Sequence, residues 1–303
     1  MTFMEVFSVS LRSGSSGNAT FIRTESAGLA VDCGINGRQF DRALHSIDES
    51  PHTLDALLLT HEHTDHCAGI GVVMRRHQIP LYLTGKTYQA VRGELGRVAD
   101  SLLHLIEPGR PFVVKGTVIT PFSIPHDAAD PVGFRIGTAL GDIGIATDLG
   151  HFSETVREAL TGCRIIHLES NYDPHMLESG SYPHFLKRRI AGPAGHLSNQ
   201  ESARAASWLV RHGTEAIVLS HLSEENNLPE LALSTVRDYL ASEGAKAGHD
   251  YVLHVSPRYA CSRPFFCSDP FYSEIPSTFS PWRGEQLSLF TGKQEDEAEG
   301  ALR

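Results

Sequence analysis

The sequence predicts an α/β fold that gathers metal-binding side chains at one edge. Apolar runs too short for helices, such as Ala56-Leu57-Leu58-Leu59, Gly144-Ile145-Ala146 and Ala216-Ile217-Val218-Leu219, read as buried strands. Each delivers a histidine or an acid at its carboxyl end, namely His61, Asp148 and His221. Helical patterns follow at 68–76 and at 202–210, the second opened by a capping box, Ser198-Asn199-Gln200-Glu201. A chain of 303 residues is long enough to bury a full core around such elements.

Taken in order, Val6-Phe7-Ser8-Val9-Ser10-Leu11 alternates as a strand, and Ala19-Thr20-Phe21-Ile22 forms the next. The polar loop between them holds Ser15, Ser16 and Asn18, whose side chains and neighbouring backbone N–H groups are candidates to contact a substrate anion. Leu29-Ala30-Val31-Asp32-Cys33-Gly34 is a third strand ending in an acid. The run 56–59 then leads into His61-Glu62-His63-Thr64-Asp65-His66. In extended chain, residues two apart share a side, so His61 and His63 can grip one cation together. Asp65 and His66 fall where a helical pattern begins, which turns them toward a second cation. Leu81-Tyr82-Leu83-Thr84 and the segment 87–97 read as a strand and a helix of the outer layers. The extended stretch 118–125 ends at His126. A carboxylate can offer one oxygen to each of two cations, which makes Asp148 the natural bridge between them.

The spacing His61-x-His63-x-Asp65-His66 resembles the signature of the metallo-β-lactamase superfamily over roughly residues 5–260. The resemblance implies an αββα four-layer sandwich with a binuclear metal site at one edge and two divalent cations, zinc or manganese, as cofactors. It makes His126 the third ligand of the first metal, beside His61, His63 and Asp148, and Asp65, His66, His221 and Asp148 the ligands of the second. It also assigns Asp32 to bracing the metal loop. His196 competes with His221 for the last ligand position, and the strand-end place of His221 together with chain order favours the latter. His196 then remains for chemistry. The segment Gly195-His196-Leu197-Ser198 is similar to one in ribonuclease Z, where a histidine lies near the scissile phosphate and a glutamate holds it; Glu169 is the matching glutamate here. A carboxylate partner favours the protonated imidazole that can donate to a leaving oxygen.

Glu169-Ser170-Asn171-Tyr172-Asp173, Gly180-Ser181-Tyr182-Pro183 and His221-Leu222-Ser223-Glu224-Glu225-Asn226-Asn227 together resemble the bacterial YycJ-type (WalJ) branch, related to ribonuclease Z. That branch implies a metal-dependent 5′ to 3′ DNA exonuclease of replication and repair. In it, a hydroxide held between the metals attacks phosphorus, Asp65 orients it, and His196 protonates the departing oxygen. Asn171 and the basic triplet Lys187-Arg188-Arg189 are candidates for substrate contacts, because phosphate positioning needs charge without sequence reading.

Composition limits the remaining possibilities. A formal charge of −10 argues mildly against a nucleic-acid partner, although two cations and the acidic stretch 295–299 weaken the objection. No long apolar stretch suggests a membrane span, and the amino terminus lacks an export core, so a cytoplasmic protein is expected. Five cysteines without paired spacing read as reduced thiols. The catalytic domain is expected over 1–265, followed by a proline- and serine-rich linker and tail over 266–303. Within the tail, Gln286-Leu287-Ser288-Leu289-Phe290 resembles the motif by which bacterial replication proteins dock on the β sliding clamp, with Gln286, Leu287, Leu289 and Phe290 as its contacts. Two other readings stand beside the nuclease. One is a small-molecule hydrolase, either a cyclic phosphodiesterase or a glyoxalase II-like thioesterase. The other is a recruitment factor whose metals are structural.

Overall fold

In the computed structural model, residues 5–268 are described. The first half of the chain supplies β1 (Phe7–Arg12), β2 (Ala19–Arg23), β3 (Gly28–Val31), β4 (Ala56–Leu58), β5 (Leu81–Thr84) and β6 (Leu103–Ile106). The remainder supplies β7 (Phe112–Val114), β8 (Thr117–Ser123), β9 (Val132–Ile136), β10 (Ile143–Ala146), β11 (Ile165–Glu169), β12 (Ala216–Ser220), β13 (Val252–Val255) and β14 (Phe265–Phe266). Among the described residues these strands form two seven-stranded sheets, in the orders β14-β1-β2-β3-β4-β5-β6 and β13-β12-β11-β10-β9-β8-β7. Strands β3 to β6 run parallel, as do β10 to β13.

Helices α1 (Gly37–His45), α2 (Thr64–Cys67), α3 (Ile70–His77) and α4 (Gly85–Leu95) accompany the first sheet. The second carries α5 (Glu154–Leu160), α6 (Pro174–Ser179), α7 (His184–Ile190), α8 (Asn199–Arg211) and α9 (Pro229–Ser242). Three apolar layers separate the four layers of structure. Val31, Leu58, Phe134, Ile145 and Val218 fill the space between the sheets. Leu57 and Leu59 face Phe40, Leu44, Val73 and Met74 of the first helical layer, while Ile217 and Leu219 face Ala206, Leu209, Val236 and Leu240 of the second. Successive residues of β4 and β12 therefore serve opposite layers, which is why both strands read as unbroken apolar runs. The arrangement is the αββα sandwich that the sequence resemblance implies.

Two details differ from the sequence expectations. The folded body extends past 265: Phe7 pairs with Phe266 and Ser8 with Phe265, so β14 closes the first sheet across a domain boundary expected inside it. The helix expected over 87–97 is displaced toward its amino end, because the Thr84 hydroxyl accepts the Thr87 N–H and starts the helix at Gly85. Among the described residues no helix is long and apolar enough to cross a membrane. The candidate clamp-binding residues Gln286, Leu287, Leu289 and Phe290 lie outside the described residues.

Candidate metal centre

The parallel strands of both sheets point their carboxyl ends at one edge, where the polypeptide turns sharply. Asp32 follows β3, Asp148 follows β10 and His221 follows β12, and these three adopt left-handed backbone with φ of 63°, 60° and 57°. Asp and His tolerate that region better than most residues, and each kink swings a polar side chain off the end of an apolar strand. The loop after β4 crosses so close to Gly34 that a Cβ there would lie 1.6 Å from the Asp65 carbonyl oxygen; only glycine fits.

Three histidine nitrogens converge first: His61 Nε2 lies 3.0 Å from His63 Nδ1, which is 3.2 Å from His126 Nε2. Beside them, His221 Nε2 lies 3.3 Å and His66 Nε2 3.6 Å from Asp65 Oδ2. Asp148, almost wholly buried, stands between the groups, with Oδ2 3.1 Å from His66 Nε2 and Oδ1 3.7 Å from His126 Nε2. Its Oδ2 makes no hydrogen bond despite burial. An unsatisfied buried carboxylate oxygen facing several imidazole nitrogens is costly without a cation.

The outer nitrogens of these rings fix their tautomers. His66 Nδ1 donates to Asp32 Oδ2 (2.7 Å) and His126 Nδ1 donates to the Gly195 carbonyl (3.1 Å), so each Nε2, once unprotonated, directs its lone pair into the site. Asp32 also accepts the Thr60 N–H (2.8 Å) and the Thr60 hydroxyl, whose oxygen lies 3.0 Å from His61 Nδ1. This donor set of imidazoles and carboxylates fits divalent cations such as zinc or manganese. Burial opposes charge on His66 and His221, yet the Asp148 carboxylate raises both. His221 reaches about 10 with help from Asp65 and Glu169, and His66 is raised further by Asp32. Burial opposes ionisation of Asp148 too, but His221 and His66 hold its carboxyl well below the usual range.

Glu169 ends β11 fully buried and accepts four hydrogen bonds. Oε1 takes His196 Nδ1 (2.9 Å) and His221 Nδ1 (2.8 Å), and Oε2 takes the Leu149 N–H (2.7 Å) and the Leu197 N–H (3.0 Å). With both oxygens occupied, Glu169 is a support for histidines. His196 Nε2 makes no hydrogen bond among the described residues, and the ring is partly exposed at the rim.

Several candidate substrate contacts sit differently from the sequence expectation. Asn18 is buried; its Oδ1 accepts the Gly14 N–H (2.8 Å) and its Nδ2 faces Asp65 and His66, so it shapes the metal loop and is not offered to an anion. Asn171 is buried as well, donating to the His221 carbonyl (2.8 Å). A polar loop composition does not say which amides turn inward. In the basic triplet, Lys187 donates to the Glu178 and Gly180 carbonyls (2.6 and 2.7 Å), and Arg189 pairs with Asp127. Arg188 is exposed and has no such partner among the described residues, and Ser15 and Ser16 are exposed at the tip of their loop. Sequence reasoning passed over Thr60 and Ser13; the Ser13 hydroxyl accepts the His221 N–H at 2.7 Å. A serine in a hairpin carries no signal for that contact.

Comparison with known proteins agrees with this geometry. The model of the beta-lactamase superfamily domain matches residues 29–222. The chain is 37% identical over 246 residues to exodeoxyribonuclease WalJ of Streptococcus pneumoniae, covering 80% of this chain and 91% of WalJ. It is 32% identical over 248 residues to exodeoxyribonuclease YycJ of Bacillus anthracis, covering 82% and 94%. Among solved structures, the metallo-beta-lactamase fold protein YhfI of Bacillus subtilis matches with a TM-score of 0.64 at 15% identity, over 85% of this chain and 99% of YhfI. The chain is a metallohydrolase of the metallo-β-lactamase superfamily, in the branch that holds WalJ and YycJ.

Proposed function

We propose that the protein is a metal-dependent nuclease that removes nucleotides from a DNA end, working 5′ to 3′ in replication-linked repair. The observation that carries this is the identity of 32–37% to proteins named exodeoxyribonucleases over most of both chains, joined to the residue cluster described above. His61, His63, His126 and Asp148 would hold one divalent cation, and Asp65, His66, His221 and Asp148 the other. When bound, such a pair lowers the pKa of water and stabilises charge on a phosphodiester undergoing in-line displacement.

The chain's own residues do the rest. Asp65, partly exposed, offers a carboxylate that accepts a proton from incoming water. His196, held by Glu169 through Nδ1, presents Nε2 to the departing sugar oxygen as the proton donor. Asp32 and Thr60 keep His61 and His66 in one rotamer and one tautomer. Docking on the sliding clamp through Gln286, Leu287, Leu289 and Phe290 would hold the enzyme at DNA without adding a catalytic contact.

The test is digestion of end-labelled single-stranded DNA, duplex DNA and RNA, with zinc or manganese, beside a cyclic phosphodiester and an Asp65→Ala control. Mononucleotides released from the 5′ end of DNA and lost in the control are expected. Turnover of the cyclic ester with no digestion of DNA would replace this reading with that of a small-molecule phosphodiesterase.

A further inference from the structure

Helix α7 has no fully buried residue, which is unusual for a helix at the rim of a core. Phe185 is 67% exposed, the most exposed large hydrophobic side chain among the described residues. Polar groups fix the helix in its place. Lys187 is tied to carbonyls at the end of α6, and Arg189 to Asp127, which adjoins His126. The carboxyl end of α7 runs straight into the acid: the His196 N–H donates to the Ile190 carbonyl (2.9 Å), and the Asp127 N–H donates to the Ala194 carbonyl (3.0 Å). A Cβ on Gly150, two residues from Asp148, would lie 2.1 Å from the Pro193 carbonyl oxygen, so this turn is also pressed against the strand end that carries Asp148. A rigid connection therefore joins an exposed aromatic ring to the reacting centre.

A groove between α6 and α7 is lined by Leu177, Glu178, His184, Lys187 and Arg188; Phe185 stands outside that lining, on the adjoining face of α7. Arg188 is exposed, and its guanidinium has no partner among the described residues. Phe185 and Arg188 are three apart on the helix, so they stand on one face. An aromatic ring beside a free guanidinium suits a nucleic-acid strand whose bases are unpaired: the ring stacks on a base and the cation meets the backbone. Paired bases inside a duplex cannot offer a face to such a ring. We infer that α7 is the strand-binding platform of this enzyme, with Phe185 stacking on an unpaired base and Arg188 contacting phosphate, so that the substrate enters as a single strand and a duplex end must fray first.

This inference rests on the nuclease reading. The experiment compares Phe185→Ala, Phe185→Leu, Phe185→Trp and Arg188→Gln in the metal-loaded full-length protein, on single-stranded DNA and on bis(p-nitrophenyl) phosphate. The expected result for Phe185→Ala is a KM for single-stranded DNA raised about tenfold, with turnover of the small diester unchanged. Trp restores the DNA value and Leu does not. A phosphorothioate oligonucleotide carrying 2-aminopurine should show stacking quench with the wild type and lose it in Phe185→Ala. Arg188→Gln should raise KM and flatten its salt dependence. An unaltered KM in Phe185→Ala, or full rescue by Leu, overturns the stacking platform. A wild type that cleaves the diester but no DNA at all overturns the nuclease reading instead.

Discussion

His196 and His221 share a single oxygen of Glu169, at 2.9 and 2.8 Å. One buried carboxylate thus orients a proposed metal ligand and the proposed proton donor together. Substitution Glu169→Gln puts an amide where two rings and two backbone N–H groups all require acceptors. The expected outcome is a loss of turnover by at least 10²-fold, together with a roughly 10- to 100-fold weaker affinity for the second metal. His196→Ala should lose turnover on a similar scale while metal content stays unchanged. Metal analysis beside DNA digestion separates the two variants, and equal metal loss in both would show that His196 belongs to the ligand set.

Metal uptake should release protons. In the metal-free chain the Asp148 carboxylate, with Glu169, Asp65 and Asp32, favours the charged forms of His66 and His221 against the opposing effect of burial. Metal binding requires their lone pairs. Calorimetry of zinc binding at pH 7 in buffers of differing ionisation enthalpy should report net proton release. Asp148→Asn should diminish both that release and the affinity. Enthalpies that do not vary with buffer would contradict the prediction.

Acid should weaken the fold before the carboxylates titrate. Burial pushes His167 down to about 3, and burial aided by the Arg263 charge does the same to His254. Above pH 6.5 both histidines are neutral in folded and unfolded chains alike, so they contribute no pH dependence. As pH falls below 6.5 the unfolded chain binds protons that the folded chain refuses until near 3, so stability declines across that window. Urea unfolding of the metal-free protein at pH 6.0, 5.5 and 5.0, below the range where the raised His66 and His221 contribute an opposing slope, measures the decline. His167→Gln, which can keep a hydrogen bond to Ser8, should make it shallower.

Gly34→Ala should cost the site more than the fold. The new methyl group meets the Asp65 carbonyl, which accepts the Asn18 N–H at 2.7 Å, and displaces the loop that carries four candidate ligands. Helical circular dichroism should survive, while metal content and turnover fall together. Retained metal at wild-type stoichiometry would show that the loop can yield.

The sequence made the candidate metal cluster legible because its members follow apolar strands at fixed short spacings, so local pattern and chemistry coincide at His61, His63, Asp65 and His66. Glu169 and His196 could be paired in advance only by resemblance. The added bond from Glu169 to His221 depends on β11 and β12 lying in a register that sets Glu169 opposite Ser220, a long-range fact without a local signal. The same limit hid β14, which pairs with β1 from the other end of the described chain. Asn18, Asn171 and Lys187 were misplaced for a different reason. Their residue types suit both solvent and buried hydrogen bonds, and only the packed structure decides between them.

The left-handed turns at Asp32, Asp148 and His221 bear on how this site can change over generations of sequence. A residue at any of the three must satisfy two unrelated demands, a backbone geometry that excludes branched side chains and an oxygen or nitrogen at a fixed distance from its neighbours. Few amino acids meet both. Random variation there will therefore drift among Asp, Asn and His, and an exchange of metal preference is reached more readily at His63 or Asp65, which carry no such backbone constraint.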